Sequence, residues 1–224
     1  MHPEIDQIIR SNRRTFSLEI QPDGRLLVRA PKSASDAQIR AIVARKADWI
    51  AKGKAKVKNR FGSLQPKTFT PGERFWYLGE QYPLHLTDRK RPPLDLDGAF
   101  LLSRSAQDRA KEVFIEWYRE ETRRITRDFI LRYTAEHGFK VNTVRITSAR
   151  TRWGSCSGKR NLNFTYRLSM APLDVVEYVV VHELAHLKVH NHGRDFWRLV
   201  SSLKPDYTKN RAWLKQHGAL LTLD

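Results

Sequence analysis

Four of the eight histidines in this 224-residue chain lie within one short segment, VHELAHLKVHNHGRDFW, at residues 181–197. Asp174 and Glu177 precede it with the spacing of a capping box, so the sequence predicts an α-helix that begins near Asp174. Valines and leucines recur along this helix at positions that would bury one side. His182 and His186 are four residues apart, and they therefore project from one face about a turn apart.

Two imidazoles at this spacing can reach one metal ion with bonds of about 2.0–2.1 Å. Glu183 directly follows the first histidine and completes the H-E-x-x-H motif, which is typical of metal-dependent peptidases. A carboxylate in this position can take a proton from a water molecule at the metal and later pass it to the leaving group. The segment therefore predicts a catalytic metal centre.

A catalytic zinc ion needs a third protein ligand, and its fourth position is left for water. His192 lies six residues after His186, which on an unbroken helix is a rotation of about 240° away from the pair. The helix must end before His192 if this ring is to turn back, and Asn191 and Gly193 favour such an end. We expect His192 to be the third ligand, with His190 or a carboxylate as the alternative.

Residues 1–104 are predicted to form a β-rich part of the chain with one helix. Alternating apolar residues predict a hairpin over residues 14–30, with its turn at Pro22-Asp23-Gly24. Apolar residues at helical spacing predict a helix from Ser35 to Lys54. Strand and turn signals return over residues 75–102, so we expect short antiparallel strands around this single helix.

Residues 105–224 are predicted to form the metal-binding domain. Helical spacing predicts one helix of about 30 residues that ends near Gly138. Two strands are predicted next, at residues 141–147 and 161–168. An active-site helix against a small mixed sheet, preceded by an antiparallel β-rich part, is an α+β fold. The two parts could also pack as one unit.

Several segments resemble the YgjP-like metallopeptidase family, which is zincin-type and more distantly similar to SprT-like and WLM domains. Three of them are RWGSCS at residues 152–157, NLNFTYRLSMAP at 161–172 and VHELAHLKVHNHGRDFW at 181–197. The hairpin at 14–30 and YLGEQYPL at 77–84 are similar to the family as well. The resemblance therefore covers nearly the whole chain.

This resemblance implies three histidine ligands, carried over to His182, His186 and His192, and a catalytic glutamate at Glu183. It also implies a zincin-like fold and a metal-dependent hydrolase, and it says more about the metal centre than about the substrate. Zinc is the expected ion, one per chain, although Mn²⁺, Co²⁺ or Ni²⁺ could occupy such a site.

Other side chains outside the motif could serve the reaction. Arg150 and Arg152 could anchor a substrate carboxylate or phosphate, or stabilise an oxyanion. Tyr166 could donate a hydrogen bond to an oxyanion, and Cys156 could be a metal ligand. The structural alternative is a turn in which Gly154 lets the backbone pass close to the helix, with Tyr166 buried in the core.

The charge of the chain bears on its partners. It carries 41 Lys and Arg against 24 Asp and Glu, a net charge of +17. Residues 1–104 have 20 basic and 11 acidic side chains, and residues 105–224 have 21 and 13, so both parts contribute. Such a field attracts acidic partners such as nucleic acid or nucleotides.

The expected compartment is the cytoplasm. No apolar run approaches the roughly 20 residues of a membrane span, so we expect no membrane association. The N-terminus has no apolar signal region. A single cysteine excludes an internal disulfide and suits a reducing environment.

The favoured function is a zinc-dependent peptidase that acts on a peptide or protein. Glu183 would be its general base, and the strand at 161–168 would pair with an extended substrate. One alternative is a metal-dependent hydrolase of nucleotide phosphoanhydrides, since Arg150 and Arg152 suit an anionic substrate. Another is a DNA-associated protease similar to SprT-like proteins, with the positive charge as its tether.

Overall fold

The structure is a computed structural model that describes residues 3–21, 24–61 and 66–223. It contains both helices and small sheets, as the predicted α+β class requires. Its contacts divide the chain into two compact units, residues 1–66 and residues 67–223. The boundary that the sequence predicts, between residues 104 and 105, falls inside the second unit.

The first unit holds a three-stranded sheet, with strands β1 (Gln7–Ser11), β2 (Ser17–Ile20) and β3 (Leu26–Pro31). Strand β3 is central, antiparallel to β2 and parallel to β1. The β2–β3 pair is the predicted hairpin. Gly24 has a φ of 84°, a left-handed conformation that suits glycine, whereas Pro22 and Asp23 of the predicted turn lie outside the described residues.

The helical part of the first unit is two helices instead of the one predicted. Helix α1 (Asp36–Arg45) begins with a capping box, in which the Ser35 side chain accepts from the Gln38 N–H and the Gln38 side chain accepts from the Ser35 N–H. Lys46 separates it from helix α2 (Ala47–Phe61). Apolar side chains of both helices pack on β3, and the buried core comprises Leu26, Val28, Ile39, Val43 and Ile50.

The second unit opens with a four-stranded sheet of β4 (Arg74–Tyr77), β5 (Glu80–Thr87), β6 (Leu94–Asp97) and β7 (Ala99–Ser103). The order is β4-β5-β7-β6, and the two hairpins β4–β5 and β6–β7 are antiparallel as predicted. The β5–β7 pair is parallel, because β6 lies on the outer side of β7 and β7 returns beside β5.

The long helix of the second unit is α3 (Ala110–His137), which follows a short 3-10 helix at Arg104–Arg109. It ends at Gly138 with a φ of 67°, as predicted. Phe114 and Tyr118 of α3 pack against buried aromatic residues of the four-stranded sheet, Phe75 and Phe100. This shared core explains why the sheet belongs with α3, and why the compact unit does not begin at residue 105.

A second, three-stranded sheet lies in the same unit, formed by β8 (Thr143–Thr147), β9 (Gly154–Cys156) and β10 (Asn161–Thr165). Its order is β8-β10-β9, with β10 parallel to β8 and antiparallel to β9. The strand predicted at 161–168 therefore ends at Thr165, and Tyr166–Met170 is a 3-10 helix. Because β10 is central, both of its edges are already paired, and β8 and β9 are the edge strands of this sheet.

Three helices complete the second unit: α4 (Leu173–Ala185), α5 (Arg194–Leu203) and α6 (Tyr207–His217). Helix α4 is buried on most of its surface, which agrees with its run of valines. The predicted capping box at its start does not form. Lys204 donates to Asp174 at 3.0 Å and to Glu177 at 2.6 Å, so both carboxylates bind a side chain instead of the helix end.

We compared the helices in the described part of the chain with the requirements for a membrane-spanning helix. None of these helices combines the length with the apolar character that crossing a bilayer requires.

Candidate metal centre

The structure brings three of the clustered histidines together at the end of α4. His182 lies in the last turn of α4, and His186 is the residue that caps it. The chain then reverses, and the Nε2 atom of His192 lies 3.0 Å from Nε2 of His182 and 3.2 Å from Nε2 of His186. His190 is exposed and is not part of the group of potential ligands found in the described ranges.

Local backbone geometry explains this reversal. The N–H groups of Lys188 and Val189 both donate to the Ala185 carbonyl, which ends α4 in a tight turn. The side chain of Asn191 then accepts from the Gly193 N–H at 3.2 Å, and α5 begins at the next residue. The predicted helix end between His186 and His192 is therefore present in the fold.

The donor atoms fit a divalent metal ion. Nδ1 of His186 lies 3.1 Å from the Val189 carbonyl, which can only accept, so Nδ1 carries the proton and Nε2 presents a lone pair. Burial, with the nearby His186 and His192, lowers the pKa of His182 to about 3, which keeps that ring neutral. Ligand nitrogens of a tetrahedral zinc site are about 3.3 Å apart, close to the spacings observed here.

Aromatic rings support the three imidazoles. The Phe196 ring is fully buried, and its centroid lies between 4.5 and 4.9 Å from those of His182, His186 and His192. Trp197 stacks on His192 at 5.8 Å with an angle of 26° between the rings. Phe196 thus serves as core packing, and it also limits how far the three rings can move.

Glu183 is buried beside this group, with 5% of its surface exposed. Burial raises the pKa of its carboxyl to about 8, and the positive charge of Arg152 opposes that rise. The backbone of Gly154 on β9 passes so close that a Cβ there would lie 2.6 Å from Oε1 of Glu183. Only glycine leaves room for the carboxylate, which is the structural reason for the glycine in RWGSCS.

The two arginines of the predicted site differ in their surroundings. Arg152 is exposed, and its charge acts on Glu183. Arg150 is also exposed, and its backbone carbonyl accepts from Arg167 at 2.9 Å. The structure thus connects Arg152 with Glu183, whereas the hydrogen bond from Arg167 to the Arg150 carbonyl holds the loop in place.

Tyr166 and Cys156 have structural explanations. Tyr166 is 7% exposed and lies in the core, with its ring 6.4 Å from that of Tyr118. This packing accounts for the tyrosine without a role in catalysis. Cys156 is partly buried, and burial together with the charge of Glu183 raises the pKa of its thiol. A thiol held in its neutral form is a poor metal ligand.

Sequence reasoning missed one charged residue next to the centre, Arg211 on α6. Its guanidinium lies 4.8 Å above the Trp197 ring. Its charge adds to the effect of burial that lowers the pKa of His182, and it opposes the rise that burial causes in the pKa of Tyr178. Tyr207, one turn earlier on α6, stacks on the same Trp197 ring at 5.4 Å. In the sequence, the four-residue spacing of Tyr207 and Arg211 indicates only that the two side chains share a face of α6. Arg211 reaches the site through tertiary packing, which this spacing does not predict.

Comparison with models of known families identifies the family of this chain. The family model for the YgjP-like metallopeptidase domain matches residues 14–217, which is most of the chain. The chain belongs to the YgjP-like metallopeptidase family. The resemblance inferred from its motifs is thus confirmed, and the family implies a divalent metal ion, for which the three histidines are a possible site.

Two individual proteins are similar to parts of this family member. The UTP pyrophosphatase of Escherichia coli (strain K12) is 32% identical over 72 residues, which is 30% of this chain and 43% of that protein. The match thus spans less than half of the curated relative. The crystal structure of the Pyrococcus abyssi abylysin metallopeptidase zymogen shows 24% identity, over 40% of this chain and 93% of that one, with a TM-score of 0.36.

Proposed function

We propose that this protein is a zinc-dependent peptidase, with His182, His186 and His192 as metal ligands and Glu183 as the general base. The observation that carries the proposal is the convergence of three Nε2 atoms beside a buried carboxylate on the same helix. A purely structural zinc site would leave this carboxylate without a purpose, since burying it is unfavourable.

The residues have distinct tasks in this mechanism. A divalent ion in the site would polarise the scissile carbonyl and lower the pKa of a water molecule to about 7. Glu183 takes a proton on its carboxylate and releases it to the leaving amine, and burial, which raises the pKa of this carboxyl, makes it a stronger base than an exposed glutamate. Gly154 leaves the space that the Glu183 side chain occupies, since a Cβ at this position would overlap it. His186 keeps its tautomer through the Val189 carbonyl.

The substrate strand would pair with β9. The sequence assigned this task to the strand at 161–168, but that strand is central in its sheet. Strand β9 lies at one edge of the sheet, and its first residue, Gly154, is so close to Glu183 that a Cβ there would overlap the carboxylate. A peptide added along β9 would therefore run directly past the general base.

Hydrolysis of a nucleotide phosphoanhydride is a second candidate, favoured by two cations near the centre. Arg152 acts on Glu183 and Arg211 acts on His182, so positive charge lies beside both the base and a ligand. Such cations suit a triphosphate. The similar protein from Escherichia coli is called a UTP pyrophosphatase, which is consistent with this candidate. In the described ranges, however, the carboxylates do not form a three-ligand group of the kind that holds Mg²⁺.

The test begins with metal analysis of the purified protein, followed by wild-type and Glu183→Gln assays on a peptide library and on nucleoside triphosphates. Glutamine keeps the size of the side chain but cannot accept the proton, so we expect metal binding to persist and turnover to fall about 10²- to 10⁴-fold. Unchanged turnover in Glu183→Gln would rule out the mechanism. Peptide cleavage by the wild type supports the first candidate.

Pyrophosphate or phosphate release from nucleotides supports the second candidate. An Arg211→Ala variant separates the two further. If the arginine binds a substrate phosphate, its removal raises KM for the nucleotide while metal content stays unchanged, because the residue is not a ligand. A neutral peptide substrate would show little change in KM.

A further inference from the structure

The first unit carries a disproportionate share of the positive charge. Residues 1–66 contain 14 Lys and Arg side chains and six Asp and Glu, a net charge of +8. This is nearly half of the +17 of the chain in less than a third of its length. The unit lacks the histidine group described above, so the catalytic centre does not account for its charge.

Helix α2 presents a large part of this charge on one side. Its inner side is fixed by Ile50, which is 1% exposed, and by Gly53, where a Cβ would lie 2.2 Å from Ile20. Trp49, Lys52 and Lys56 follow the i, i+3, i+7 spacing, which places them together on the outer side. We call these three residues, together with Arg45 at the nearby end of α1, the Trp49 face.

The Trp49 face is exposed. Trp49 has 49% of its surface accessible, an unusual state for the largest apolar side chain, and Arg45, Lys52 and Lys56 are exposed as well. Lys54 differs from them, since it is partly buried and lies 3.5 Å from Asp6. Among the ion pairs that join described residues, none involves the three cations of the Trp49 face.

We propose that the Trp49 face binds single-stranded nucleic acid, with the indole of Trp49 stacked on a base and Arg45, Lys52 and Lys56 on neighbouring phosphates. Nucleic acid in single strands is bound by this combination, an aromatic ring for the base and cations for the backbone. A base in a duplex is already stacked on its neighbours, so an exposed ring has no partner there.

A membrane surface would require a different helix. An interfacial helix buries a broad apolar side in the lipid, whereas α2 turns Ile50 into the protein and exposes one large apolar side chain among its described ones. A single ring with three cations therefore favours a nucleic acid strand over a bilayer.

The experiment measures binding of the full-length protein to fluorescein-labelled oligo(dT) and oligo(U) of about 20 nucleotides, by anisotropy across a salt series. The same assay uses a duplex of equal length and vesicles that contain phosphatidylserine. We expect the single strands to bind more tightly than the duplex, and vesicles to bind weakly. Comparing oligo(dT) with oligo(U) distinguishes DNA from RNA as the preferred strand.

Matched variants locate the binding. Trp49→Ala should weaken oligo(dT) binding about tenfold, from the loss of one base stack, and Trp49→Phe should recover most of it. The double change Lys52→Ala with Lys56→Ala should reduce the slope of log K against log salt by about 1.4, or about 0.7 per phosphate. Lys90→Ala with Lys140→Ala removes the same charge from exposed positions in the second unit and should leave the slope unchanged.

Three results would overturn the proposal. The first is no binding of single strands by the wild type at low salt. The second is equal loss of affinity in the Lys52/Lys56 and Lys90/Lys140 pairs, which would show that only the overall charge matters. The third is vesicle binding that depends on Trp49. Thermal melting checks that each variant is folded, and the lysine pair still tests the proposal if a tryptophan variant is not.

Discussion

The contact between Gly154 and Glu183 makes a quantitative prediction for the variant Gly154→Ala. A Cβ at this position would lie 2.6 Å from Oε1, 2.7 Å from Cγ and 2.9 Å from Cδ of Glu183. An ordinary contact begins near 3.4 Å, so the carboxylate or the strand must move by about 0.8 Å. The strand resists, because Gly154 is paired with Phe164 on β10 and Phe164 is fully buried. The glutamate is therefore the part that moves.

A displacement of about 1 Å at a catalytic group can cost on the order of 10² in rate, so we expect kcat/KM of Gly154→Ala to fall about 30- to 100-fold. The assay compares it with Gly158→Ala, the same chemical change in the turn between β9 and β10, where a Cβ would meet nothing within 4 Å. Zinc content should be equal in both variants. Wild-type kcat/KM in Gly154→Ala would refute the idea that this glycine positions the base.

The remaining predictions concern the metal and the helix ends. His192→Ala should bind much less zinc. A chelator should therefore lower the melting temperature of the wild type but not of this variant, because only the wild type carries zinc that the chelator can remove. Full zinc content in His192→Ala would identify a different third ligand. Lys204→Met should cost about 2 kcal/mol, since it leaves the partly buried carboxylate of Glu177 with one cation fewer. Its melting temperature should fall about 4–8 °C with unchanged zinc content, and an unchanged melting temperature would contradict the role given to this ion pair.

The features that follow from local periodicity were predictable from the sequence. The extent of α3 and its end at Gly138 follow from apolar spacing and from the tolerance of glycine for a left-handed φ. The juxtaposition of His182 and His186 follows from the pitch of one helix. The motifs identified the family because they combine helical spacing with specific residue types, as in H-E-x-x-H.

Features that depend on distant partners were not predictable in this way. The Asp174 and Glu177 pattern reads as a capping box, but Lys204, 27 residues after Glu177, binds both carboxylates. The alternating residues of β10 show which of its faces is buried but not whether its edges are paired, and β8 and β9 occupy both of its sides. Arg211 comes to the metal centre because α6 packs its aromatic residues beside Trp197. In each case a tertiary contact decides between structures that the local pattern permits equally.

The position of His192 combines both kinds of information. Backbone hydrogen bonds to the Ala185 carbonyl end α4, and the Asn191 side chain shapes the following turn, so a reversal of the chain is encoded locally. These contacts do not determine how far from the end of α4 the chain places His192. That distance depends on α5, whose buried Phe196 lies against all three imidazoles and so determines where the preceding residues can lie. The first two ligand positions thus require only a helix, whereas the third requires that α5 be packed in place.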